Sequence, residues 1–362
     1  TSTGETLTTP IETFATLFES KGTEDDPHLI ADYNQLLVFN EMIAHSVILG
    51  HQIVRLANDI DLKGEQGILW EPIKSKYREC SFEGEFDGNG HVLSHMYIDT
   101  KKCYAGLFGL FRGYVHDLSI VDSDIKCNTA PSTNSYYAGV GGIVGSSIWY
   151  SAEYPHIVQR CGFEGRITGG NAIGGIIGAV ATIDAVNDCY TNADITYTQK
   201  ITRYSSQTGV GGIVGDGNAL NSYAAGSITI NHTFGVSYGP IAGRYYNASS
   251  PNVNSYYDIV CNKSYSNSDA DIKTATGTMQ SDAFLNSLTA DVWTRANHIN
   301  EGYPIFASRA ASRVTTGEAK YTESGDIEIN GIYTMGVDKE YNTFGFQWYS
   351  KMGDKQNVVE TI

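Results

Sequence analysis

Positive charge is scarce in this chain. Lysine and arginine total 24 of 362 residues against 40 aspartates and glutamates, for a formal net charge of −16 and a pI near 4.9. Such a surface repels phosphate, so the counterion release that drives nucleic-acid binding has no engine here. An anionic membrane leaflet is disfavoured on the same ground. No apolar run approaches the ~20 residues of a bilayer span, so direct membrane insertion is not expected. The six cysteines (80, 103, 127, 161, 189 and 261) form no Cys-x-x-Cys pair, which argues against a zinc knuckle or a thioredoxin-type site. Their even number permits three disulfides, but a chain of this length does not need stapling. The chain opens on Thr1 without methionine. That reads as a mature form whose export signal has been removed, and a lipid anchor upstream of Thr1 is compatible with it.

Catalytic signatures are equally thin. A zinc peptidase needs His-Glu-x-x-His on a helix. The nearest text is Asn40-Glu41-Met42-Ile43-Ala44-His45, with Asn in the first ligand position and His45 one residue late. No nucleophile elbow, P-loop or dinucleotide fingerprint stands in context. A glycoside hydrolase needs paired carboxylates at fixed separation, and no Asp or Glu recurs at equivalent places in the repeats described next. Asp87-Gly88-Asn89-Gly90-His91 reads as a tight turn. His91 and His95 share a strand face by spacing and read as isolated polar residues rather than as a metal site. No catalytic residue, metal or cofactor is expected.

Glycine and tyrosine are what the chain has in excess: 39 glycines, against a usual ~7%, and 24 tyrosines. The glycines fall in a repeat. It runs Ala105-Gly106-Leu107-Phe108-Gly109, Gly141-Gly142-Ile143-Val144-Gly145, Gly174-Gly175-Ile176-Ile177-Gly178, Gly211-Gly212-Ile213-Val214-Gly215 and a decayed Gly239-Pro240-Ile241-Ala242-Gly243. The second positions, 106, 142, 175, 212 and 240, lie 36, 33, 37 and 28 residues apart. A second motif follows the middle copies: Cys161-Gly162 with Ile167, Cys189-Tyr190 with Ile195, and Ser222-Tyr223 with Ile228. Leu118 to Ile125 is a version one residue longer. Each unit is too short to bury its apolar face alone. Stacked units pair equivalent strands at ~4.8 Å and build a continuous core. Glycine marks the corners, where backbones approach closely, and Cys161 and Cys189 stack inside as small buried thiols. Helical repeats are excluded, because glycine recurs every few residues without a 3.6-residue stripe.

These units resemble the GLUG motif of right-handed β-solenoids in bacterial surface proteins, which include adhesins and non-catalytic parts of IgA-cleaving metallopeptidases. The resemblance extends over about residues 22–307. It includes Leu56-Ala57-Asn58-Asp59-Ile60-Asp61-Leu62, Trp70-Glu71-Pro72-Ile73 and the closing Gly302-Tyr303-Pro304-Ile305. It implies an all-β, right-handed parallel β-helix and an extracellular, cell-surface setting. It fixes no function.

The organisation that follows is an N-terminal segment 1–21, a solenoid 22–312 and a C-terminal β module 313–362. Residues 32–44 read as a helix capping the solenoid. Asp32 stands at the N-cap, Gln35 three residues on, and Leu36, Phe39 and Ile43 form a stripe. Residues 11–20 carry helical spacing, and 281–288 read as a short helix beside the last coil. Past 313, the segments 318–322, 326–334 and 343–349 alternate apolar and polar residues, resembling half of an immunoglobulin-like or fibronectin-III sandwich. The one positive site signal is aromatic. Trp149, Tyr150 and Tyr154 in one coil, and Arg244, Tyr245 and Tyr246 two coils later, share a corner, and exposed aromatics hold glycans and proteins by stacking. The expected function is a non-enzymatic adhesion or presentation module binding glycan or host-protein partners. The alternatives are a polysaccharide-active β-helix enzyme, or an accessory region of a larger secreted enzyme.

Overall fold

The computed structural model describes residues 20–44, 51–73, 82–102, 104–128, 138–147, 157–180, 186–199, 208–233, 235–244, 252–261 and 271–310, together with the strands 313–321, 327–334, 346–349 and 355–358. The chain divides into two compact units, Thr1–Arg309 and Ala310–Ile362.

The first unit is the expected parallel β-helix. One 15-stranded sheet and two five-stranded sheets are built from stacked parallel strands. A representative coil gives Val158–Gly169 to the large sheet, then Ala172–Gly174 and Ile177–Val180 to the two small ones. The next coil repeats the order in register, with Ile167 against Ile195 and Ile177 against Val214. Like residues therefore stack inside. Leu107, Ile143, Ile176, Ile213 and Ile241 are all fully buried, each worth ~1.5–3 kcal/mol of apolar burial.

The Gly-Gly pair is the corner between the two small sheets. Gly142 N donates to Gly175 O (3.0 Å), and Gly175 N donates to Gly212 O (3.0 Å). A Cβ on Gly142 would lie 2.3 Å from Phe163 Cγ, and one on Gly175 2.3 Å from Gly212 O. The corner backbones ride directly on the core and on each other, so only hydrogen fits there. Gly106 opens the same row, 2.7 Å from Gly141 O by that measure.

At the N-terminal end the small sheets begin only at Tyr104–Ala105 and Phe108–Phe111, while the large sheet runs back to His28–Ile30. Helix α1, Tyr33–Ala44, fills the volume they leave. Asp32 Oδ1 accepts from Gln35 N (2.9 Å) and Gln35 Oε1 accepts from Ala31 N (2.6 Å), a reciprocal cap shifted one residue from the usual box. Phe39 packs edge-on to Phe82 at 5.3 Å. Asn40, in the peptidase-like text, is buried and donates to Glu71 O (2.8 Å). His45 lies outside the described residues, as do residues 11–19 of the other expected helix.

At the far end the short helix expected over 281–288 is present as one turn within a longer return segment. Two one-turn helices, α2 (Thr276–Met279) and α3 (Asp282–Leu285), lead to Trp293–Thr294, which pairs antiparallel with Ile305–Phe306. This return segment does not sit beside the last coil alone. It runs back along the outer face of the large sheet, where Phe284 meets Tyr256 (5.2 Å) and Trp293 meets Tyr223 (5.7 Å) and Tyr190 (6.2 Å). The sheet offers an apolar tyrosine row there that needs covering.

The second unit contains two antiparallel pairs, Arg313–Tyr321 with Ile327–Thr334 and Phe346–Tyr349 with Lys355–Val358. Its first strand begins five residues before the expected 318.

Candidate functional site

The Cys/Ser-Tyr motif builds the face on which the site lies. The residue before each Cys or Ser is left-handed: Arg160 (φ 47°), Asp188 (50°), Asn221 (48°) and Asn254 (46°). Asn and Asp tolerate that region. Arg160 is held there by two hydrogen bonds to Asp117 (2.7 and 2.6 Å). The bend interrupts the sheet ladder, and the next side chain repairs it. Cys161, Cys189, Ser222 and Ser255 each donate to the carbonyl two residues back (3.4, 3.2, 2.6 and 3.1 Å). Cys189 Sγ also accepts from Cys161 N at 3.5 Å. The two thiols are thus hydrogen-bonding members of the ladder, beyond the small apolar fillers read from sequence, and burial raises both pKa values. The longer spacing Leu118 to Ile125 is a bulge, with Asp122 at φ 49° and a register shift opposite Phe163 to Gly165.

Cys161 is followed by Gly162, but after Cys189, Ser222 and Ser255 a tyrosine lies on the outer face. Tyr190 pairs in register with Tyr223, and Tyr223 with Tyr256. The Tyr190 and Tyr223 rings stack at 5.5 Å and 13° beneath the return segment. Beside this apolar seam a groove of about 770 Å³ opens between the sheet and residues 298–309, within the ~300–1,000 Å³ range of ligand pockets. It runs along the solenoid axis over coils carrying Asp122, Glu164, Asn192 and Ala225. Arg166 lies between Asp124 and Asp194 in register, and Ser227 Oγ donates to Asp194 Oδ1 (2.5 Å). Gly165 and Gly226 put no side chain into the middle of the floor, and Ala193 between them turns into the core. His298, Asn300 and Glu301 form the opposite wall.

Polar anchors hold that wall in place. Arg309 donates to Glu164 and to Tyr190 Oη (2.6 Å), and Tyr190 Oη donates to Glu164 (2.7 Å). Burial disfavours charge on Arg309, but Tyr190 and Glu164 overcome this and its pKa rises. Asn192 donates to Asn300 (3.2 Å), and Asn300 to Tyr223 Oη (2.9 Å). Cys261, at the groove's end, has its thiol pKa raised by burial, 3.8 Å from Tyr303 Oη.

A second charged cluster lies on earlier coils. Asp87, His116 and Asp117 offer three ligand-type atoms within 4.8 Å of one another. Yet His116 donates from both ring nitrogens, Nδ1 to Asp117 (2.7 Å) and Nε2 to Glu85 (2.9 Å). Burial opposes that charge, but Asp117, Glu85 and Asp87 prevail and push its pKa up to about 9. Burial likewise opposes the Asp117 carboxylate, but Arg160 and His116 hold its pKa down at about 2. Metal ligation needs an unprotonated nitrogen, and Arg55 and Arg160 already occupy Asp87 and Asp117. The cluster is an ion-pair ladder of alternating sign. Charged residues do therefore recur at equivalent positions of adjacent coils, but as Asp117–Arg160–Asp188 and Asp124–Arg166–Asp194, not as stacked carboxylates.

Of the residues singled out in sequence, Trp149, Tyr150, Tyr154, Tyr245 and Tyr246 lie outside the described residues. Arg244 is bound to the buried Asp216 through two hydrogen bonds (3.0 and 2.6 Å). His91 and His95 do not act together. Each takes its own carboxylate, Asp59 (2.9 Å) and Asp61 (3.0 Å), because His95 is left-handed (φ 54°) and resets the strand alternation. The groove residues were missed. The only sequence signal for them was the polar Glu164, Arg166, Asn192 and Asp194 between buried positions.

No protein-family model matches the chain. Halomucin of Haloquadratum walsbyi (strain DSM 16790 / HBSQ001) is 28% identical over 174 residues, 45% of this chain and 2% of that protein. The chain thus spans a small fraction of that relative's length. A solved structure described as a "putative immunoglobulin A1 protease" from Bacteroides ovatus superposes with a TM-score of 0.57 and 19% identity, over 83% of this chain and 98% of its own. At that identity the likeness shows a shared fold.

Proposed function

We propose that this chain is a non-enzymatic adhesion or presentation module of a secreted or cell-surface protein, binding glycan or host-protein ligands along its flank. The observation that carries the reading is the groove, a ligand-sized trough whose polar groups are fixed by a rigid solenoid on one side and an anchored segment on the other. Its most buried carboxylate, Glu164, is paired with Arg309, and the Cys261 thiol is pushed up in pKa. Neither is poised as a general base or a nucleophile. The likeness over part of a surface-type relative, halomucin, supports an exported setting. A glycan array and a host-protein pull-down with the full chain test this. Capture of a ligand set by the wild-type chain is the expected outcome, and a clean blank on both refutes adhesion.

The description of the structural neighbour as a protease favours a second reading, an accessory region of a larger secreted enzyme. The full open reading frame decides it, by the presence or absence of a catalytic domain.

A further inference from the structure

We infer that the groove takes a linear oligosaccharide without acidic groups, laid along the solenoid axis; this rests on the adhesion reading above. Three features of the groove carry the inference. Its polar side chains are planar and two-pronged: the Arg166 guanidinium, the Asn192 amide and the Asp194 carboxylate. Such groups present two hydrogen-bonding atoms side by side, donors on Arg166, acceptors on Asp194 and one of each on Asn192, as vicinal hydroxyls require. A sugar hydroxyl both donates and accepts, so it satisfies this mixture where a purely cationic or anionic chain satisfies half of it.

Spacing is the second feature. Arg166, Asp194 and Ser227 occupy one row in successive coils, hence ~4.8 Å apart, whereas an extended peptide advances ~3.3–3.4 Å per residue. An extended pyranose chain advances by close to the coil interval per sugar, so successive sugars meet successive rungs. Gly165 and Gly226 line the floor without side chains and leave room for ring faces.

Charge supplies the third. Asp122, Asp194 and Glu301 face the opening, against Arg166 as the exposed cation, and the whole chain carries −16. This field repels uronic, sialylated or sulfated sugars.

The test is calorimetric titration of the full chain with four probes: a neutral β-linked hexasaccharide, its amino-sugar counterpart, its uronic-acid counterpart and an oligolysine of similar length. Neutral or amino-sugar binding is expected, weakened about tenfold or more in Asp194→Ala and in Arg166→Ala, since each loses a charged hydrogen-bonding partner. Both side chains are exposed, and an unchanged melting temperature confirms that the variants fold. Tighter binding of the uronic acid or of oligolysine, no binding of any sugar, or sugar binding indifferent to both variants overturns the proposal. Array or pull-down ligands that both variants retain leave the adhesion reading standing and place its site elsewhere.

Discussion

Replacing Gly175 by alanine tests the corner on which the solenoid stacks. Its backbone is not left-handed, so the penalty is one of contact. The added Cβ would lie 2.3 Å from Gly212 O and 2.4 Å from Thr191 Oγ1. The first is a carbonyl already accepting from Gly175 N at 3.0 Å, and relieving the clash lengthens that bond. Overpacking in a tight core costs ~1–3 kcal/mol, and a weakened buried hydrogen bond adds ~1 kcal/mol. The sum is about 2–4 kcal/mol, or roughly 5–15 °C of melting temperature for a unit of this size. Gly277→Ala is the matched control. It lies in α2 with open space around its Cβ position, where alanine is favoured by ~0.5–1 kcal/mol. Scanning calorimetry of the two variants reads opposite signs. A Gly175→Ala chain within about 1 kcal/mol of the parent would refute the close-packed corner.

Other perturbations probe the remaining devices. Cys189→Ser should be better tolerated than Cys189→Val, because serine keeps the bond to Asn187 O that Ser222 makes to Leu220 O one coil on; denaturant midpoints should differ by ~1 kcal/mol or more. His116, with a folded pKa of about 9 against ~6.5 unfolded, contributes stability that is full below pH ~6.5 and lost as pH rises through about 9. That contribution is on the order of 3 kcal/mol, and His116→Gln should flatten the alkaline loss in a pH series of melts. Asp117 acts with the opposite sign. Its folded pKa of about 2 makes its contribution present above pH ~4 and lost as pH falls through about 2, a loss Asp117→Asn removes. Arg309→Met leaves Glu164 without its cation in a half-buried site, a loss of ~3–5 kcal/mol, read as faster amide exchange across 293–306.

The repeat made the fold legible because a solenoid encodes its geometry locally. Each Gly-Gly-Ile corner and each Cys or Ser six residues before an inward Ile reports the same bend in each coil, so pattern and contact coincide. The cap was legible for a similar reason: Asp32 and Gln35 lie within one turn of the residues they bond. The bends themselves were hidden. Nothing in the identity of Arg160 announces a left-handed residue; it is tolerated there because Asp117, one coil earlier, grips its guanidinium. The pairing of His91 with Asp59 and of His95 with Asp61 depends in the same way on coil register, which sequence spacing does not supply.

The groove was illegible for a different physical reason. Its floor is written in residues 122–227, but a floor of exposed polar side chains on a sheet is an ordinary solvated face. It becomes a trough only when residues 298–309 return across more than a hundred positions and dock. What makes them dock is the tyrosine row, whose sequence positions carry no sign of what covers them. Tyr190 and Tyr223 are fully buried because Trp293, Phe306 and Phe284 cover them. The apolar seam and the polar groove are thus two halves of one interface. The seam supplies the burial that fixes the segment, and Glu164–Arg309 and Asn192–Asn300 set the distance at which it stops. A change in the seam should therefore shift the groove wall, and with it any binding of the proposed oligosaccharide, without touching a groove residue.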